Sequence, residues 1–139
     1  MAQHEIPLMR EFLAHYRHSQ VRLFRRNIID RTVQDIHNNR VFQAKAGIKG
    51  QCDVYGFIKF ASTTGQGYDT ISLLRSIPLE VEFKGPKTRT TSEQESWRHF
   101  CIKWNIPYAQ LRAKEEESTS QTLTRWTEEL HQLIKNVCI

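Results

Sequence analysis

The sequence predicts an α/β fold in which a mixed central β-sheet is flanked by α-helices. Two periodicities support this prediction. Residues 77–84 (IPLEVEFK) alternate between apolar and polar side chains, which is typical of a strand with one buried face. Residues 6–18 and 119–136 instead repeat their apolar side chains at helical spacing. Since no linker or repeat divides the chain, residues 1–139 are expected to form one domain whose helices cover the sheet.

The individual elements follow from local sequence. The β-branched and aromatic content of residues 53–60 (DVYGFIKF) indicates a strand. Residues 28–40 show no decisive pattern, and the Thr-, Gly- and Gln-rich stretch 61–72 is predicted to be a flexible loop. From the N-terminus, the predicted elements are a helix at 6–18, a short strand at 21–24, strands at 41–46, 53–60 and 77–84, a helix that begins near Ser92, a strand at 107–111 and a helix at 119–136.

A start signal marks the helix that follows residue 91. Ser92 and Glu95 fit a capping box, with Ser92 as the N-cap and Glu95 at the third helical position. An apolar stripe follows them, so the helix is expected to end near residue 105. The tryptophans are expected to pack in the core, with stacking on nucleic-acid bases as the alternative: Trp97, Trp104 and Trp126.

The composition excludes several classes of protein. The chain has 139 residues, of which 39% are apolar and 25% charged, as in ordinary globular proteins. No apolar run approaches the roughly 20 residues of a membrane span, and the charged N-terminus broken by Pro7 does not resemble a secretion signal. An intracellular, cytoplasmic protein is therefore expected. The cysteines match neither a disulfide framework nor a zinc pattern and are expected to be small apolar residues: Cys52, Cys101 and Cys138.

Positive charge is concentrated in the first half of the chain. The net charge is +5, and residues 1–60 hold ten Lys and Arg against five acids. Such an excess is expected of a protein that binds a polyanion such as nucleic acid. A generic basic surface is the alternative, and charge alone does not separate the two.

Glu82-Phe83-Lys84 is the feature with the most chemical content. On a strand, residues i and i+2 share one face about 7 Å apart, so the Glu82 carboxylate and the Lys84 ammonium converge while Phe83 faces the core. Phosphodiester hydrolysis uses such a pair, because carboxylates hold a divalent cation and a lysine orients water or neutralises charge. Asp53 is the natural second carboxylate, since it begins a strand after a Gly-rich turn. An ordinary solvated strand face is the alternative.

Five motifs in order resemble the PD-(D/E)XK nuclease superfamily and, more specifically, its VRR-NUC branch. That family has a Glu on an N-terminal helix, an Arg-Asn pair, a G-x-x-D turn, an E-x-K strand and a Q-x-x-W-like helix start. The resemblance covers residues 5–104 and implies a restriction-endonuclease-like core. The matching residues are Glu5, Arg26 and Asn27, Gly50 and Asp53, Glu82 and Lys84, and Gln94 and Trp97.

The resemblance also implies roles for these side chains. It implies a catalytic set of Asp53, Glu82, Lys84 and Gln94, in which Gln94 supports the site from its helix, close to Lys84 and the substrate phosphate. It implies that Mg²⁺ or Mn²⁺ is bound by Asp53, Glu82 and the backbone carbonyl of Phe83. Glu5 is either a further metal ligand or a surface acid, because Pro7 favours a helix that begins near residue 7.

The expected substrate is DNA. The resemblance implies cleavage of branched DNA such as Holliday junctions by a homodimer of bacterial or phage origin. The alternatives are an endonuclease for flaps, nicks or specific duplex sites, and a DNA-binding module that keeps the fold without catalysis. The basic turn 84–89 either contacts the DNA backbone or is a loop with no role in binding. The side chains expected to contact DNA are Arg25, Arg26, Asn27, Lys49, Gln51, Lys87 and Arg89.

Overall fold

The computed structural model describes residues 5–26, 30–35, 40–45 and 49–138 and shows a mixed α/β protein. The helices are α1 (Glu5–His15), α2 (Ser92–Lys103) and α3 (Thr119–Val137). The strands are β1 (Val21–Arg25), β2 (Asp30–Asp35), β3 (Arg40–Lys45), β4 (Val54–Thr64), β5 (Ile71–Lys84) and β6 (Tyr108–Arg112). None of the described helices is long and apolar enough to cross a membrane.

The central sheet has four strands in the order β1-β4-β5-β6. Its first two pairings are antiparallel, whereas β5 and β6 run parallel. Parallel neighbours need a crossover connection, and α2 supplies it between β5 and β6. A separate antiparallel pair is formed by β2 and β3. The predicted mixed sheet with flanking helices is therefore confirmed.

Helices α1 and α3 cover one face of this sheet and form the hydrophobic core with it. Phe83 of β5 lies 5.3 Å from Trp126 and 5.6 Å from Phe12 between ring centroids. All three rings are buried, and full burial of such a side chain stabilises the fold by roughly 2–3 kcal/mol. The core position predicted for Trp126 is confirmed, and Phe83 anchors the strand that carries Glu82 and Lys84.

The opposite face of β5 carries charged side chains that are nevertheless buried. Glu80, Glu82 and Lys84 are only 7%, 3% and 3% exposed, respectively. Helix α2 lies on this side, with Gln94 bonded to Glu82 and with Cys101 fully buried. The alternative of an ordinary solvated strand face is therefore wrong. Three ionisable groups are withdrawn from water here, which is costly unless they are paired or serve a site.

The predicted flexible loop at 61–72 is wrong. β4 continues to Thr64 and β5 begins at Ile71, and between them lie one 3₁₀ turn (Gly67–Asp69) and Gly65 with a positive φ of 101°. The register pairs Thr64 with Ile71, so each strand satisfies the other's backbone. Polar composition suggested a loop, but cross-strand partners outweigh weak local propensity.

Three smaller predictions about the helices also need correction. α1 spans Glu5–His15 rather than 6–18, with Pro7 in the first turn, where its missing N–H is not needed. The capping box of α2 uses Thr91 and Gln94, one residue before the predicted pair. Trp104 is 65% exposed at the end of α2 and is not a core residue.

Candidate active site

Asp53 immediately precedes β4, near the end of β5 that carries Glu82 and Lys84. Val54, the residue after Asp53, pairs with Val81, the residue before Glu82, in the antiparallel register of β4 and β5. Asp53 and Glu82 therefore lie at the same end of two adjacent strands, and the negative charge of Asp53 raises the pKa of Glu82.

The turn before Asp53 is held against the first turn of α2. Gly50 has a φ of +91°, a conformation that favours glycine. A Cβ at this position would lie 2.3 Å from the backbone oxygen of Glu93, so a larger residue cannot be accommodated without movement. The glycine of the G-x-x-D turn thus lets the turn bearing Asp53 approach the helix bearing Gln94.

Gln94 links the two ends of the E-x-K motif. Its Nε2 donates to Glu82 Oε1 at 3.1 Å, and its Oε1 accepts from Lys84 Nζ at 2.6 Å. Lys84 Nζ also donates to the backbone oxygen of Arg89 at 3.2 Å and lies 3.8 Å from Glu82 Oε1. These contacts place the carboxylate and the ammonium at defined positions on one face. The prediction that Gln94 reaches the site from its helix, close to Lys84, is confirmed.

The capping box of α2 holds Gln94 itself in place. Thr91 Oγ1 accepts from the Gln94 backbone N–H at 3.1 Å, and Gln94 Oε1 accepts from the Thr91 backbone N–H at 3.0 Å. The same Gln94 oxygen therefore accepts from both Thr91 and Lys84. A helix cap of this kind stabilises the helix start by about 1 kcal/mol and here also fixes the side chain that bridges the site.

Glu82 is in an unusual electrostatic environment. The pKa of its carboxyl is raised from the ordinary 4.5 to about 7, first by burial and then by the negative charge of Asp53, while Lys84 partly offsets the rise. Glu82 Oε2 is buried and has no hydrogen-bond partner of acceptable geometry among the described residues. A buried acceptor without a partner is costly, so this oxygen is positioned to receive a ligand.

Glu5 belongs to the same region of the fold. It is buried at the start of α1, and its Oε1 accepts from the backbone N–H of Gly85 at 2.7 Å. Burial raises the pKa of Asp53, and the charge of Glu5 raises it further. The alternative of Glu5 as a surface acid is therefore wrong, and three carboxylates repel one another around this end of β5.

The arrangement fits a divalent cation in its donor chemistry. Carboxylate oxygens are what Mg²⁺ and Mn²⁺ prefer, and one oxygen of Glu82 is buried without a partner. Within the described part of the chain, however, no three Asp, Glu, His or Cys side chains are already close enough to hold a metal ion. Asp53 is only half-buried, so its carboxylate remains partly open to solvent.

Two residues near Glu82 carried no signal in the sequence. Cys52 is fully buried beside Glu82, and the nearby thiol lowers the pKa of Glu82. Burial raises the pKa of both the Cys52 thiol and the Tyr108 hydroxyl well above their ordinary values, and the two groups influence each other's pKa. Cys52 is therefore buried as expected, but it also contacts the site. Its place beside Asp53 was the only clue, and cysteine spacing could not reveal it.

Arg26 is engaged in an ion pair. Its guanidinium donates twice to Glu80, at 2.8 and 2.9 Å, and once to the backbone oxygen of Cys52 at 2.8 Å. It also lies 4.8 Å from the centroid of the Tyr55 ring. This bidentate pair gives Arg26 a structural role beside the site. The DNA contact expected of it remains a prediction.

The other side chains expected to contact DNA surround the site at different depths. Arg25 and Arg89 are exposed, Lys49 and Lys87 form exposed ion pairs with Glu93 and Glu115, and Gln51 is half-buried. Asn27 lies outside the described residues.

A cavity of about 840 Å³ lies near this region but not at the site itself. Its lining includes Pro7, Thr88 and Glu117, whereas the acid–lysine cluster does not contribute to it. The cluster of Asp53, Glu82 and Lys84 is a stronger candidate for the active site than this cavity. It combines buried charge with a Glu82 oxygen that lacks a partner among the described residues and a raised pKa of Glu82.

Comparison with known proteins returns no match among family models, curated proteins or solved structures.

Proposed function

We propose that this protein is a metal-dependent endonuclease that hydrolyses phosphodiester bonds in DNA. The observation that carries the proposal is the buried bridge Glu82–Gln94–Lys84, in which one Glu82 oxygen is left without a partner. Folding withdraws these charges from water, and a purely structural cluster would gain more from apolar side chains. Positioned, unsatisfied charge is instead typical of sites that act on charged substrates.

Mg²⁺ or Mn²⁺ is the cofactor we propose for this site. Asp53 and Glu82 would hold it, together with the Phe83 carbonyl and, from α1, Glu5. A divalent cation bound there supplies positive charge to the phosphate and makes water a better nucleophile. It would also relieve the repulsion that raises the pKa of Glu82.

The chain's own residues supply orientation and charge. Gln94 and the Arg89 carbonyl hold the Lys84 ammonium on the same face as Glu82, where it can neutralise charge that develops on a phosphate. Because Gln94 contacts both residues, a shift of α2 would disturb the acid and the lysine together. We assign Asp53, Glu82, Lys84 and Gln94 as the catalytic set on this basis.

The order of elements supports a restriction-endonuclease-like core of the PD-(D/E)XK type. An N-terminal helix carries Glu5, a G-x-x-D turn precedes β4, E-x-K ends β5, and Gln94 begins the next helix. In the folded chain these motifs lie around one point, although they are separated by up to 89 residues in sequence. Chance motifs would have no reason to converge in this way.

Branched DNA such as a Holliday junction is the substrate we favour, with a homodimer as the active form. Two symmetric cuts need two sites, which a two-fold dimer provides. A nuclease for flaps, nicks or specific duplex sites is the second candidate. A DNA-binding module without catalysis is the third, but the intact Asp53, Glu82 and Lys84 argue against it.

The test is cleavage of four DNA forms with Mg²⁺ or Mn²⁺: a four-way junction, a flap, a nicked duplex and a linear duplex of matched sequence. The wild type is compared with Asp53→Asn and Glu82→Gln. We expect each variant to lose at least about 100-fold in rate, because each removes charge from the site. Glu128→Gln on the exposed side of α3 is the control and should cleave normally.

Undiminished cleavage by both site variants would overturn the site assignment. A wild type that cleaves none of the four forms and binds no Mn²⁺ would overturn the proposal of an enzyme. The form cleaved fastest distinguishes a junction nuclease from a flap, nick or duplex nuclease.

A further inference from the structure

Three aromatic rings, two of them exposed and Tyr55 half-buried, cluster near the start of β4 and are here called the aromatic patch: Phe24, Tyr55 and Phe57. Phe24 and Tyr55 are stacked with ring centroids 5.6 Å apart, and Phe57 lies 6.2 Å from Tyr55. Phe24 and Phe57 remain 39% and 44% exposed. Several large apolar rings grouped at a surface mark a binding site more often than isolated exposed rings do.

The aromatic patch lies on the same face of the sheet as the candidate active site. Side chains two residues apart on a strand share a face, so Asp53, Tyr55 and Phe57 point to the same side of the sheet. Tyr55 pairs with Glu80, two residues before Glu82 on β5. The aromatic patch therefore lies beside the Asp53–Glu82–Lys84 cluster on this face of the sheet.

Cations border the aromatic patch. Arg22 pairs with Phe57 across the strands, and Lys59 lies two residues beyond Phe57 on the same face. Both side chains are exposed, and neither forms an ion pair within the described part of the chain. The nearest acid of the face, Glu80, is neutralised by Arg26. A ligand suited to this surface has flat apolar faces and negative charge.

We propose that the aromatic patch stacks unpaired bases of the DNA strand that is cut at the neighbouring site, an assignment that rests on the proposed nuclease function. Unpaired nucleotides offer both features, since each has an open π-face and a phosphate. In an intact duplex the base faces are already stacked on one another and cannot cover the rings. The patch thus selects DNA with unpaired nucleotides beside the cut, as at the base of a flap or at a junction whose central base pairs have opened.

Binding is tested without cleavage, in EDTA, by fluorescence anisotropy. The two probes are a labelled oligothymidylate of about 20 nucleotides and a duplex of the same length. We expect Phe57→Leu and Phe24→Leu each to weaken oligothymidylate binding by about ten-fold, because leucine keeps the apolar volume but loses the π-face. Duplex binding should change by less than about two-fold, because it depends on phosphate contacts.

Two further variants separate stacking from folding. Phe57→Trp restores a ring and should bind oligothymidylate at least as tightly as the wild type. Tyr68→Leu removes an exposed ring at the far turn of the β4–β5 hairpin and should have no effect. Wild-type affinity in both Leu variants, or an equal loss on the duplex, would overturn the assignment.

The test also separates this inference from the proposed function. If cleavage is normal but binding does not depend on the rings, the patch assignment alone fails. If the rings determine binding but no DNA form is cleaved, the nuclease proposal fails instead. If the Leu variants turn a dimer into a monomer in sedimentation velocity, the patch is a self-association surface, which also overturns the assignment.

Discussion

At the residue scale, the two oxygens of Glu82 have different surroundings. Oε1 accepts from Gln94, whereas Oε2 is buried without a partner among the described residues. The pKa of this carboxyl is about 7, so the folded chain binds its proton more tightly than the unfolded chain, where the pKa is near 4.5. The stability that results is fully present below pH 4.5 and is lost as the pH rises through about 7.

This difference predicts a pH-dependent stability of the metal-free protein. Between pH 4.5 and 7, Glu82 should contribute a fall of at most about 3 kcal/mol in the free energy of unfolding. Urea denaturation in EDTA over this range measures it. Glu82→Gln should flatten that part of the profile, and the exposed Glu128→Gln should keep it. An identical profile for Glu82→Gln and the wild type would contradict the buried-acid interpretation.

Arg25 and Arg26 are adjacent in sequence but are expected to respond differently to truncation. Arg26→Ala leaves Glu80 buried and unpaired, so it should reduce the free energy of unfolding by about 3 kcal/mol. Arg25→Ala removes an exposed side chain and should change stability by less than about 0.5 kcal/mol. Its effect should instead appear in DNA binding, where the slope of log affinity against log salt falls by about 0.9.

Urea denaturation and salt titration of duplex binding distinguish these two roles. A stable Arg26→Ala variant whose only defect is a reduced salt slope would show that Arg26 is a phosphate contact and not a structural residue. An unchanged slope in Arg25→Ala would remove Arg25 from the DNA-binding set.

At the element scale, the contact between the 50–53 turn and α2 brings Asp53 and Gln94 to one site. Gly50→Ala should reduce the free energy of unfolding by at least about 2 kcal/mol, because the positive φ and the close Glu93 carbonyl both oppose a Cβ. Gly67→Ala is the matched control. Gly67 also has a positive φ, of 62°, but no atom lies within 4 Å of its Cβ position.

Chemical denaturation of both variants isolates the contact. The left-handed conformation alone should cost Gly67→Ala about 1 kcal/mol. The excess loss in Gly50→Ala then measures the approach of the turn to α2. Equal losses in the two variants would show that the turn does not depend on this close contact.

The elements also show how far sequence alone reaches. Alternation in 77–84 placed Glu82 and Lys84 on one face, since the strand period is a local property. The Arg26–Glu80 pair joins residues 54 positions apart and depends on the registers of β1, β4 and β5, which no local pattern encodes. The hairpin at 61–72 was missed for the same reason, because its stability comes from the opposite strand.

Burial of the site could not be predicted either. Alternation distinguishes the two faces of a strand but does not show which element covers each face. The sequence pattern around Glu82 would be identical whether α2 or solvent covered this side chain. The resemblance to a nuclease family supplied the expectation that Gln94 approaches Lys84. The structure bears out that proximity, while the roles assigned to these residues remain predictions.

At the scale of the whole molecule, the sheet brings distant motifs to one end of β5. The N-terminal helix, the turn before β4 and the first turn of α2 all meet there. The net charge of +5 adds a long-range attraction for DNA, which should weaken with added salt. The central claim is that the site at this end of β5 hydrolyses phosphodiester bonds and that Lys84 takes part in the reaction.

Single-turnover cleavage of a four-way junction by Lys84→Met, in Mn²⁺, tests that claim most directly. Methionine replaces the aliphatic part of the buried lysine without its ammonium group and leaves the carboxylates in place. We predict a rate at least about 100-fold below wild type with Mn²⁺ affinity retained. Lys135→Met, on an exposed position of α3, should cleave normally. Cleavage by Lys84→Met at the wild-type rate would contradict the account.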